Sequence, residues 1–217
     1  MRLFTHAADY LPILMSGLWL TIAVTLLALA LATLMGLTWA LLRTSGIPWL
    51  AGPTRVMIEF IRGIPILVIL FYIYFVLSDF GIDLNAFQAG VAGLALTYSC
   101  YIGETFRAGI EAVDKGQVEA AKSLGMKRPM MMRRVVLPQA FKVVVPPYAN
   151  NMVMLLKDSS QVSVISVAEL SMQGKILASS TFDNMTVFTL VALLYLSMTV
   201  PLNWLMRRVE VALEKRR

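Results

Sequence analysis

The chain has 217 residues, 58% of them hydrophobic and only 15% charged, with a mean hydropathy of +0.72. A soluble domain is roughly half apolar and a quarter charged, so this composition excludes an ordinary water-soluble protein. The net charge of +6 does not argue for nucleic acid, because Lys and Arg gather in a few segments beside apolar runs, as in membrane proteins with positive cytoplasmic loops.

Crossing a bilayer takes about 20 mostly apolar residues, and five segments of the chain are candidates, giving an all-α integral membrane protein in one transmembrane domain, residues 1–217. The first covers about 11–42. No charge falls between Asp9 and Arg43, far too long for a secretory signal core. It is expected to be a retained span, tilted or extending beyond the bilayer. The second starts before Ile64 and ends near Leu77; the third covers about 86–106 and holds the single cysteine, Cys100. With one cysteine and one histidine, His6, neither an internal disulfide nor a Cys/His zinc site can form. The fourth begins near Pro138 or Val143 and ends near Leu156, and the fifth covers about 185–206.

Two of these are short. Only 63–78 and 143–156 are free of charge in the second and fourth segments. At about 1.5 Å per residue neither reaches across ~30 Å of hydrocarbon. Glu59 and Arg62, and Lys157 and Asp158, therefore either snorkel at the membrane edge or face the protein interior. Pro146 and Pro147 also suggest a broken helix, a feature that marks substrate paths in transporters. The segment 159–183 mixes apolar residues with serines and is expected as a helix near the outer side, partly re-entrant.

Orientation follows the Lys/Arg bias. Arg43, Arg55 and Arg62 join the first two spans, whereas Asp79 and Asp83 follow the second. The long loop after the third carries Arg107, Lys115, Lys122, Lys127, Arg128, Arg133, Arg134 and Lys142, and the tail carries Arg207, Arg208, Lys215, Arg216 and Arg217. Five spans satisfy this alternation with the N-terminus outside and the C-terminus in the cytoplasm; Arg2 and Lys175 are the outer-side minority.

The long loop is the most informative stretch. It runs Gly116-Gln117-Val118-Glu119-Ala120-Ala121-Lys122-Ser123-Leu124-Gly125, and later Val135-Val136-Leu137-Pro138-Gln139-Ala140. The pattern predicts a short amphipathic helix over 118–124. Gly125 is suited to end it in the left-handed conformation, and Pro138 suits the first turn of the next helix. Ala120 and Ala121 are small enough for a partner surface to approach the backbone.

Glu119-Ala120-Ala121, Gly125 and the distant Val135-x-Leu137-Pro138 together resemble the EAA signature of importer-type ABC transporter permeases, with Val135 where that family usually has Ile. The likeness extends over most of the chain. Phe60-Ile61-Arg62-Gly63-Ile64-Pro65 resembles the FRGTP-like segment of the polar amino acid subfamily, Tyr101 to Ile110 its YxAExxRGGI segment, and Lys157-Asp158-Ser159-Ser160-Gln161-Val162 its KDTSLV segment. Gly103, Ala108, Ser159 and Gln161 depart from those patterns, the last by placing a polar side chain at an apolar position. The resemblance implies a permease for histidine-, arginine-, glutamine- or glutamate-type cargo, with the segment from Glu119 to Gly125 as a coupling helix seated in a groove of a separate ATPase. It further implies a second, like permease subunit, an ATP-binding dimer holding ATP and Mg, an extracytoplasmic binding protein, and residence in the bacterial inner membrane. No G-x-x-x-x-G-K-[ST] phosphate loop occurs, so the chain supplies no ATPase or bound cofactor of its own.

Cargo contacts are sought among polar groups in the spans, where ionisable side chains are costly. Tyr101 and Glu104, three apart, share a helix face. Glu104 either accepts from a cargo ammonium or pairs with Arg107. Asp158 faces the same choice, and Asn150 and Asn151 either bind cargo or join helices. Arg62, Gly63, Pro65, Arg107, Lys157, Ser159 and Gln161 are gating or structural candidates. Two other classes, an ion-gradient carrier and a membrane scaffold, would leave the loop signature or the intramembrane polar residues without a purpose.

Overall fold

A computed structural model describes residues 6–214. Arg2, Lys215, Arg216 and Arg217, counted in the charge balance, lie outside the described residues. Among those residues the secondary structure is entirely helical. Helix α1 (Ala7–Arg43) is followed by α2 (Pro48–Arg62) and α3 (Ile66–Phe71), which continues through a π turn (Tyr72–Val76) and a 3-10 turn (Leu77–Phe80). Next come α4 (Ala86–Glu111), the short α5 (Lys115–Ser123), and α6 (Arg128–Met131), which runs through a second π turn (Met132–Val136) into α7 (Leu137–Asp158). A 3-10 segment (Ser159–Ile165), α8 (Leu170–Thr181) and α9 (Asn184–Glu214) complete the order.

The main core forms where α1 lies along α4. Ala28, Ala32, Gly36 and Ala40, each four residues apart, are buried on one stripe of α1. Side chains this small let two helix backbones come close, which is how membrane helices gain packing energy without a hydrophobic drive. The approach is tightest where Gly36 meets Gly103: a Cβ on Gly36 would lie 3.0 Å from the Gly103 nitrogen, and one on Gly103 3.1 Å from the Gly36 oxygen. Gly103, a departure from the subfamily pattern, thus sits at a helix crossing. Helix α3 and the 3-10 segment close this core through Leu70, Ile73, Val162 and Ile165.

A second cluster joins α1, α8 and α9 through Leu14, Leu170, Leu177, Val187 and Val191. Its polar centre is Glu169, fully buried, which caps α8 by accepting from the Met172 N–H at 2.9 Å. Its other oxygen accepts from the Tyr195 hydroxyl at 2.9 Å and the Thr21 hydroxyl at 3.3 Å. One carboxylate therefore ties three helices together, and the expected outer-side helix over 159–183 resolves into a 3-10 segment plus the docked α8.

Among the described residues two helices are long and apolar enough to cross a bilayer, Ala7–Arg43 and Asn184–Leu213, and Pro48–Arg62 with Ile66–Phe80 forms a third candidate bent by 100°. That bend corrects the second expected span, which does not run unbroken from before Ile64. Pro65 has no N–H to continue α2 and holds the residue before it out of helical geometry, so the chain turns at Gly63 to Pro65 and α3 starts afresh at Ile66. The fourth segment needs the opposite correction. Pro146 and Pro147 lie inside an unbroken α7. Their fixed φ suits a helix, and tertiary packing in such helices offsets the lost backbone bonds. Large apolar side chains such as Trp19, Leu34, Leu193 and Val200 are exposed along α1 and α9, as expected where lipid or another membrane subunit is the solvent.

Candidate functional site

Two neighbouring regions gather the sequence-predicted residues. The first is the helical excursion between α4 and α7. Asp114 opens α5 by accepting from the Gln117 N–H, so the helix starts at Lys115, three residues before the predicted 118. At its end Gly125 has φ +74°, the Gly125 N–H donates to the Lys122 carbonyl (2.9 Å) and the Met126 N–H to the Ala121 carbonyl (3.1 Å). This pair of bonds is a Schellman cap, which satisfies carbonyls that the helix itself leaves open.

The excursion also has its own small core. Val113, Ala121, Met131, Val136 and Ala140 are buried together, with Val118, Met126 and Val135 against them. Ala121 is thus occupied by its own chain, which corrects its assignment to a partner surface; Ala120 keeps that role open. Gly116, Glu119 and Ala120 are exposed, and Leu124 projects at 77% exposure. Leu137 and Pro138 are exposed in the first turn of α7. Pro138 has no N–H for the carbonyl four residues back, and the π turn just before it widens the helix at that point. The motif therefore specifies a stiff knob with an outward apolar tip.

The second region is a part-polar cleft of about 410 Å³ between α4, α7 and the end of α2, lined among others by Arg62, Tyr101, Glu104, Thr105, Arg107 and Asn151. Glu104 is already engaged there. Its Oε1 accepts from Arg43 Nη1 at 2.7 Å and its Oε2 from Arg107 Nε at 2.9 Å. Arg107 also pairs with Glu111. The Arg62 guanidinium sits 5.0 Å from the Tyr101 ring centroid, a cation–π arrangement. Asn151 Nδ2 donates to Thr105 Oγ1 at 3.1 Å, joining α7 to α4.

The remaining predicted residues lie elsewhere. Asp158 accepts from the Tyr98 hydroxyl at 2.6 Å, while neighbouring Lys157 is exposed. Ser159 is buried and donates to the Leu156 carbonyl, and Gln161 is half-buried. Asn150 points away from Asn151, with its amide 3.5 Å from Met154 Sδ. Gly63 and Pro65 form the bend. Sequence reasoning missed the roles of Arg43, Tyr98, Asp114 and Glu169. Asp114 had a local signal, an N-cap residue type shortly before a predicted helix, although the expected start at 118 put the helix three residues too late for that cap.

Long apolar helices with lipid-type surfaces, enclosing paired charges and a part-polar cleft, mark an integral membrane protein. Residues 32–215 match the family described as the inner membrane component of binding-protein-dependent transport systems, and the chain belongs to that family. A probable amino-acid ABC transporter permease of Sinorhizobium fredii, y4tG, is 39% identical over 210 residues, covering 97% of this chain and 91% of the relative. The probable glutamine ABC transporter permease GlnM of Bacillus subtilis is 38% identical over 207 residues, covering 95% and 96%. Among solved structures, that of an amino acid ABC transporter with histidines is 42% identical at a TM-score of 0.90, covering 96% of this chain and 98% of that one. The inward-facing MetNI methionine ABC transporter, 20% identical, shares the fold at a TM-score of 0.79, covering 93% and 96%. The chain is a permease component and not itself an enzyme.

Proposed function

We propose that the chain is the transmembrane permease subunit of an ATP-binding-cassette importer that moves polar amino acids into the cytoplasm, powered by ATP hydrolysis on a separate subunit. The observation that carries this reading is the capped, self-supported α5 with Glu119, Ala120 and Leu124 turned outward. A helix that must relay force needs such internal stiffness. In this reading α5 is the coupling helix, ATP and Mg stay on a cytoplasmic ATPase pair, and an extracytoplasmic binding protein delivers cargo to a dimer of this chain or of this chain with a like permease. Helix α1, the bent α2–α3 pair running on to Phe80, and helices α4, α7 and α9 are the five spans, with the N-terminus outside.

The charge network narrows the cargo contacts. Glu104 is neutralised by Arg43 and Arg107, so it holds the cleft in shape while Tyr101 and Asn151 face the passing solute. Asp158, whose carboxylate accepts from the Tyr98 hydroxyl, is the candidate contact for an ammonium or a cationic side chain. The similarity to probable amino-acid and glutamine permeases supports amino acid cargo.

Reconstitution tests the reading. The chain, its ATPase and its binding protein in liposomes should admit radiolabelled glutamine, histidine or arginine only with ATP. Entry that ignores ATP and follows an imposed proton or sodium gradient would reject it.

A further inference from the structure

Helix α5 is joined covalently to α4 on one side and, through α6, to α7 on the other. Helix α1 ends some 70 residues earlier in sequence, at Arg43. One side chain crosses that gap. Arg128, the first residue of α6, donates from Nη2 to the Thr44 carbonyl at 2.8 Å and from Nη1 to the Ser45 carbonyl at 2.9 Å. These carbonyls lie just past the end of α1, where backbone acceptors have no helical donors and the helix dipole is negative. A planar guanidinium can bridge both at once; an ammonium offers a single compact point.

The same end of α1 is held from the other side by the Arg43–Glu104 ion pair at 2.7 Å. Its final turn is firm, since the Thr44 N–H and hydroxyl both donate to the Ala40 carbonyl at 2.9 and 2.8 Å. A displacement of the α5–α6 excursion therefore has a hydrogen-bonded path, through the exposed Arg128, into α1, and through Arg43 back to α4.

We infer that Arg128 is a positioning residue for energy coupling: it carries motion of the α5–α6 knob to α1, so that the α1–α4 pair moves as one body with α7. The inference rests on the importer reading above. It adds a third helix to the two that the backbone alone would move.

The test measures ATP hydrolysis and amino acid entry together, in liposomes holding the chain with its ATPase and binding protein, for the parent, Arg128→Ala and Arg128→Lys. Both variants should assemble and hydrolyse ATP. Cargo moved per ATP should fall at least about fivefold in Arg128→Ala, the lower end of ordinary coupling effects, with Arg128→Lys between it and the parent. An unchanged ratio in assembled Arg128→Ala overturns the inference. So does reduced assembly with an unchanged ratio in the complexes that form, since that is a purely structural role; if Arg128→Ala does not assemble, the Arg128→Lys ratio decides on the same criterion. A parent that shows no ATP-dependent entry fails the importer reading itself, whatever Arg128 does.

Discussion

At the scale of single residues, position in sequence and role in structure part company most at Glu104. Its spacing from Tyr101 and Arg107 left two readings open, cargo ligand or ion pair. A residue 61 positions away, Arg43, settles the local electrostatics: with side-chain exposures of 16% and 20%, the two charges are largely out of water and 2.7 Å apart. Glu104→Gln would break the Arg43 ion pair and leave Arg107 with Glu111 alone, and a hydrogen bond to a charged group is worth about 1.5–3 kcal/mol. Thermal unfolding of the purified complex should therefore drop by a few degrees, while the KM for cargo stays within about twofold, because the lost contacts are internal. A cargo KM that shifts with no loss of thermal stability would return Glu104 to the binding site. Such long-range pairing is not legible in a single sequence. Glu169 makes the same point, since its partners Thr21 and Tyr195 lie on the first and last long helices. Gly125 is the contrary case. Its role follows from local backbone chemistry, and the sequence was enough to place it.

At the scale of elements, Gly125 also shows what a helix end contributes. A Cβ there would meet nothing within 4 Å, yet φ is +74°. The cost of a side chain is therefore conformational and not steric, roughly 1–2 kcal/mol for an L-residue in the left-handed region. Gly125→Val should loosen the end of α5 and lower ATP-coupled transport, whereas Gly125→Asn, which tolerates that conformation, should retain most of it. Equal transport in Gly125→Val and the parent would remove the cap from the mechanism. The apolar runs located the long helices, and α4 and α9 begin within a residue of their expected starts, but α2, whose Arg55 was read as part of a connecting loop, was not legible from them. How prolines act was not legible either. Pro65 breaks a helix and Pro146 with Pro147 does not, because the outcome depends on whether neighbouring helices hold the flanking turns in line. Ala121 belongs to the same class: its small side chain suited either a partner or an internal packing site, and only the neighbouring α6 and α7 decide for the latter.

At the scale of the whole molecule, the fold turns a charge pattern into a direction. If α1, the bent α2–α3 pair, α4, α7 and α9 cross the bilayer, the ends of α1 and α4 lie on one side with α5 and α6, and that side gathers Arg43, Arg107, Lys115, Lys122, Lys127 and Arg128. The opposite side carries Asp79, Asp83 and Asp183, with Arg2 and Lys175 as its cations. Positive residues near short loops stay in the cytoplasm, so α5 should face the ATPase and the α8–α9 corner should face the binding protein. Ser123, near the end of α5, and Ser179, near the end of α8, are both exposed, and the native Cys100 is buried, so single cysteines at these two positions report cleanly. Ser123→Cys should react with a membrane-impermeant maleimide in inside-out vesicles and resist it in right-side-out ones, and Ser179→Cys should do the reverse. The same side for both would mean an even number of crossings between α5 and α8. The reversed pattern would put the motif loop outside, where no ATPase could reach it, and the importer reading would fall with it.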